Sequence, residues 1–210
     1  MSGPFAKTTF GPPAPTGQDG DKGALLADVA SGIVDMVDQD GNTHGLETTL
    51  LLLQAQTALT TITTAQNLFS KALKAGALNK SGRTLRITGT VIFTTTNATQ
   101  FTIALTLGGV TLVSIQSAIG AAAITNGQIS FELIVSVAAT GSNGTLEAHG
   151  LLNCQLSGTL STALPQYADQ NTAVSSAVNL TSALTLACTI AASASVSSAQ
   201  VRQVLVEVIN

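Results

Sequence analysis

Apolar and polar residues alternate along most of this chain from about residue 48 onward. Between Arg83 and Thr95 one face takes Leu85, Ile87, Gly89, Val91 and Phe93. Phe101, Ile103, Leu105 and Leu107 keep the same step, and Val113 and Ile115 continue it in a following short strand. Ile129, Phe131, Leu133, Val135 and Val137 give the clearest run. Leu146, Ala148, Gly150, Leu152, Cys154 and Leu156 follow, then Leu184, Leu186, Cys188 and Ile190. A period of two over so many segments predicts strands half-buried against a common core. Asn79–Gly82, Gly108-Gly109, Asn126-Gly127 and Gly141–Gly144 supply turn residues between them. About eight strands with no strong helical pattern between them predict an all-β fold, an antiparallel β-sandwich of jelly-roll type. Leu46 to Ile62 stays open. Leu46, Leu50 and Leu53 would share a helical face, whereas the abundance of Thr favours a strand.

The first 47 residues follow another pattern. Residues 1–23 hold four of the five prolines, a composition that makes neither a helix nor a central strand and reads as an extended arm. Seven of the eleven acidic residues lie at or before Glu47, and Asp40-Gly41 between short apolar runs predicts a hairpin. The expected organisation is therefore an extended N-terminal attachment arm with a short hairpin over 1–47 and a β-sandwich domain over 48–210. Phe5, Phe10, Pro12 and Pro13 are the arm's candidate attachment residues. Asp38, Asp40 and Asn42 have the spacing that opens a calcium loop, but Thr43 and Thr49 stand where that loop wants its glycine and its glutamate.

Composition narrows the function. Hydrophobic residues make up 45 % of the 210 and charged residues only 9 %, against about a quarter in an ordinary domain. Disordered chains show the reverse balance, so this one folds and covers itself with Thr, Ser, Ala, Asn and Gln. The net charge is −3, and Lys71, Lys74, Lys80, Arg83 and Arg86 form the only local basic cluster. A nucleic-acid partner is not expected from so few cations. Nor is a membrane partner: Ser, Thr or Gln breaks every apolar run short of the roughly 18 residues a spanning helix needs, and four prolines interrupt any leader-like segment. Cys154 and Cys188 share the inward parity of their strands and are expected to be reduced, buried and inert.

Candidate chemistry is sparse, and no catalytic residue, metal ligand or cofactor is expected. Glu132 and Glu147 both point outward on neighbouring strands. If Ala138 pairs with Thr145, the register sets Glu132 opposite Leu151. Glu147 is then four residues along, roughly 13 Å away, beyond the approximately 5–10 Å of glycosidase carboxylate pairs. His149 has no partner ligands beside it. Sugar-binding modules usually stack aromatic rings on their ligand, and this chain has no Trp and one Tyr. That residue, Tyr167, lies in the long segment SGTLSTALPQYADQNTA, a candidate contact loop. Ile92, Ile134 and Leu151 are apolar at outward positions, and on a charge-poor sandwich they predict burial against another copy or another protein.

The stretch TTITTAQNLFSKALKAGALNKSGRTLRITGTVIFTTT, residues 60–96, resembles a recurring segment of tailed-bacteriophage virion proteins, in which a strand and short turn precede a Gly-Arg-Thr-Leu-Arg-Ile strand. FTIALTLGGVTLV, FELIVSVAATGSNGTLEAHG and VLVEVIN resemble the same proteins in the same order, so the resemblance spans about residues 50–210 and leaves out the arm. It implies a jelly-roll domain of a head decoration, head fibre or tail appendage, usually a trimer, with no catalytic residues to carry over. It also implies that Gln66–Leu73 is a strand where propensity alone favours a helix. The expectation is a non-enzymatic structural protein of the virion, assembled in the host cytoplasm and docked through its arm on a partner such as the major capsid protein. A host-contacting tail or baseplate appendage is the alternative, and a secreted carbohydrate-binding sandwich a third reading.

Overall fold

In a computed structural model of the protein, the described residues are 24–28, 33–37, 43–45, 48–54, 58–59, 62–120, 123–157, 165–171, 177–194 and 196–209. Every regular element among them is a strand. Strands β1 (Ala24–Asp28), β2 (Ile33–Val37) and β3 (Thr43–Gly45) form a small antiparallel sheet in that order. β2 and β3 pair from Val37↔Thr43, the hairpin expected about Asp40-Gly41. β4 (Thr48–Gln54) resolves the open segment in favour of a strand, and β5 is Gln66–Leu73, also a strand.

The sandwich continues with β6 (Thr84–Thr95), β7 (Phe101–Leu107), β8 (Val110–Gln116), β9 (Ile124–Ala139), β10 (Thr145–Cys154), β11 (Gln166–Asn171), β12 (Leu184–Ala192) and β13 (Val196–Ile209). Six strands make one sheet, in the order β11-β10-β9-β6-β13-β4, and four make the other, β5-β12-β7-β8. Setting the β10–β11 hairpin aside, eight strands remain. In chain order they pair first with last (β4–β13), second with seventh (β5–β12), third with sixth (β6–β9) and fourth with fifth (β7–β8), all antiparallel. A long hairpin of four such pairs, rolled so that β6 also meets β13 and β7 also meets β12, is the jelly roll. The β10–β11 hairpin widens one sheet by two strands.

The inward residues follow the alternation read from the sequence. Leu85, Ile87, Val91 and Phe93 of β6 are buried with Phe101, Ile103, Leu105 and Leu107 of β7, and with Ile129, Leu133 and Val135 of β9. Phe93 and Phe101 meet with ring centroids 4.5 Å apart, tying the two sheets together. Cys154 and Cys188 are free thiols buried in this core.

Local chemistry sets the joints. Gly108 (φ 57°) and Gly109 (φ 84°) link β7 to β8, the pair of positive φ angles that a two-residue hairpin turn of matching twist requires. Asn126-Gly127 is different from its expectation as a turn. It lies inside β9, where Asn126 takes φ 53° and the pairing with β6 slips between Phe93 and Thr95, so the residues form a bulge. The Asn126 N–H donates to Thr94 Oγ1 at 3.3 Å, which anchors the bulge to the neighbouring strand.

Candidate functional site

The residues singled out from the sequence fall mainly on the outer face of the six-stranded sheet. Register fixes their neighbours. Arg86, Ile134 and His149 stand opposite one another in a row across β6, β9 and β10. The next row places Thr88, Glu132 and Leu151 in line, and Leu205 of β13 extends it. A third row runs Gln203, Thr90, Ser130, Asn153 and Gln166, from β13 to β11.

Ile134 and Leu151 are thus diagonal neighbours on adjacent strands, and both are half-buried. Ile92 is half-buried as well, but its partners are Gln128 and Gln200. It lies six residues along β6 from Arg86, the cross-strand partner of Ile134, or about 20 Å at roughly 3.3 Å per residue. The three outward apolar residues therefore form a pair and an outlier, not one patch. Of the large hydrophobic side chains with described burial, the exposed one is Ile119, at 66 %. It sits in the loop after β8, which is pinned beneath it by Ser117 Oγ donating to the Ala118 carbonyl at 2.8 Å and by Gly120 N–H donating to the Thr99 carbonyl at 2.9 Å. Parity arguments miss it because it belongs to no strand.

Glu132 stands opposite Leu151, the register expected from the sequence, although a bulge at Thr145/Leu146 shifts the last pair to Thr145↔Ala139. Glu132 Oε1 accepts from Arg86 Nε at 2.8 Å. Glu147 is four residues from that point along β10, so the carboxylates do not converge and one is already neutralised. Among the described residues no three His, Cys, Asp or Glu side chains gather as a metal site would require. His149 is exposed on the sheet face opposite Ile134.

The basic cluster does not assemble either. Arg83 is 6 % exposed, and its Nη1 donates to the Ala77 carbonyl at 2.7 Å, holding the turn after β5 against the end of β6. Arg86 is occupied by Glu132 on the outer face, and Lys71 belongs to an edge strand of the opposite sheet. Arg83 and Arg86 are thereby taken up by partners of their own and withdrawn from any anion surface the cluster could offer.

Tyr167 is corrected from a contact loop to a strand. It lies in β11 opposite Leu152, a buried residue, and its half-buried ring packs against the core. The weakly alternating QYADQN gives little sign of an edge strand. Phe5, Phe10, Pro12 and Pro13, and the Asp38, Asp40 and Asn42 trio, lie outside the described residues.

The thiols match their expected character. Burial pushes Cys154 up from 9.0 to about 11, against a smaller lowering by a hydrogen bond with Ser117. Burial raises Cys188 further still. Neither is a nucleophile at neutral pH. No helix among the described residues is long and apolar enough to cross a membrane.

One concavity is well formed on the outer face. A cleft of about 330 Å³ is lined by Thr88, Thr90, Ser130, Glu132, Leu151, Asn153, Gln166 and Gln203, with the backbone of Gly89 and Phe131 beneath. Comparisons with family models, curated proteins and solved structures returned no match.

Proposed function

We propose that this chain is a non-enzymatic structural protein of a tailed-phage particle, a head-decorating or head-fibre subunit. Its sandwich is the presented body, and residues 1–47 attach it to a partner such as the major capsid protein. The observation that carries the reading is the outer face of the six-stranded sheet. Ile134 and Leu151 lie there side by side and half-exposed, next to an Arg86–Glu132 pair that neutralises itself. Such a face gains from being covered and has little charge to repel a neighbour. The jelly-roll strand order suits the same role, since virus capsid domains are among its frequent users, and the segment order noted in the sequence points the same way. A host-contacting tail appendage is the second reading, favoured by the mainly polar cleft beside Leu151, whose Glu132 is paired with Arg86.

The subunit is expected to be a homo-oligomer, a trimer on the resemblance. Apolar burial survives salt that screens ion pairs, so light scattering should give the same mass at low ionic strength and in molar salt. Ile134→Asp places a carboxylate in the contact and should yield a folded monomer. A wild-type monomer in both conditions would refute the oligomer. Deleting residues 1–23 should leave a folded sandwich that mass spectrometry no longer finds in purified particles. Incorporation of the truncated protein at normal occupancy would refute attachment through that segment.

A further inference from the structure

Five polar side chains of the outer cleft have hydrogen-bonding groups that no other described residue uses. Thr90, Ser130, Asn153, Gln166 and Gln203 form a row across five strands, spaced about 4.8 Å apart. The row is therefore a line of hydroxyls and amides roughly 19 Å long. Each amide both donates and accepts, and so does each hydroxyl. The ionised group at the cleft is Glu132, and Arg86 holds it at 2.8 Å. Leu151 adds an aliphatic surface at one wall.

This combination selects a ligand class. A phosphorylated or nucleic-acid ligand would need several free cations, and the cleft offers none. A peptide adding as a strand would run alongside the edge strand β11, whereas the row runs across the strands, over backbone groups that between β13 and β10 are spent in ladders. A ligand that is uncharged, extended and covered with groups that both donate and accept fits the row. We propose that the cleft binds a short, uncharged saccharide segment lying across β13, β6, β9, β10 and β11. Asn153 and Ser130 hydrogen-bond its hydroxyls at the centre, Gln203 and Gln166 do so at the ends, and Leu151 covers an apolar ring face. The cleft volume sits at the small end of the 300–1,000 Å³ or so of ligand pockets, enough for a few sugar units. With an aliphatic surface in place of an aromatic one, affinity belongs in the millimolar range. The inference does not rest on the particle reading; because an oligomer would cover Leu151, binding is measured on the monomeric Ile134→Asp chain beside the wild type, Ile134 lying outside the cleft lining.

Saturation-transfer NMR on the full chain tests it, with neutral trisaccharides of glucose, mannose, galactose and N-acetylglucosamine and with trigalacturonate as the acidic probe. At least one neutral trisaccharide should bind. Asn153→Leu and Ser130→Ala should each weaken it about three- to tenfold, the value of one or two neutral hydrogen bonds. Lys71→Ala, on the opposite sheet, should leave affinity unchanged. Circular dichroism on each variant checks that the strands are intact. Absence of binding by every neutral probe, equal binding by the Asn153→Leu variant, or tighter binding of trigalacturonate would each overturn the proposal.

Discussion

Replacing Gly89 with alanine puts a methyl group where the Phe131 ring already stands. Gly89 and Phe131 face each other across β6 and β9, and the ring leans over the glycine on the core side. An added Cβ would overlap Phe131 Cζ and lie 2.7 Å from Cε1 and 3.0 Å from Cε2. Either the ring tilts or the strands part. The ring is only 3 % exposed, so its neighbours limit the tilt. Forcing one extra carbon into such a site costs about 1–3 kcal/mol. For a chain of this size that is a fall in Tm of about 2–4 °C per kcal/mol. Phe131→Leu alone should cost about 1–2 kcal/mol, less than the 3–5 of truncation to alanine. The leucine vacates the space the methyl needs, so the double variant should cost at least 1 kcal/mol or so less than the two single costs added together. Urea unfolding of the four proteins at one fixed concentration measures the cycle, with unchanged m-values as the check that the denatured state is the same. A neutral Gly89→Ala, or strict additivity, would refute the close approach. Because both backbones floor the outer cleft, parted strands would also appear as shifted NMR signals from Thr90 and Ser130.

The remaining expectations are smaller. Burial raises the pKa of both thiols, so their folded state keeps protons that the unfolded chain loses above about pH 9. The stability this confers is complete below that value and falls as pH rises toward 11. Melting curves at pH 8 and pH 10.5 should show the decline, and a Cys154→Ala, Cys188→Ala double variant should show less of it; equal declines would refute the assignment. Arg86→Ala removes an exposed pair and should change stability by less than about 1 kcal/mol, with a larger loss on denaturation showing that the pair is structural. Arg83→Met deletes a charged donor to the Ala77 carbonyl and should cost about 1.5–3 kcal/mol, with faster hydrogen exchange over residues 74–82; unchanged exchange would show that the turn holds without it.

Which residues enter the core was legible from the sequence, and so was the strand class. In a strand, side chains alternate regardless of which strand lies alongside. Leu85 to Phe93 and Ile129 to Val137 thus declared their buried faces without any knowledge of partners. Gly108-Gly109 declared its turn because few other residues take two positive φ angles in succession. Pairing was a different matter. That β4 meets β13 and β5 meets β12 depends on how a long hairpin rolls, and the alternation within a strand carries no label for its neighbour. The same limit explains the particular misses. Asn126-Gly127 has the residues of a turn and serves as a bulge, because a left-handed residue suits either and only the run of β6 beside it decides. Tyr167 belongs to an edge strand whose few buried contacts impose only a weak pattern. Ile92, Ile134 and Leu151 all face outward as their parity required. Only the register across β6, β9 and β10 set two of them together and the third about 20 Å away, since distance on a sheet is fixed by alignment between strands and not by position along one.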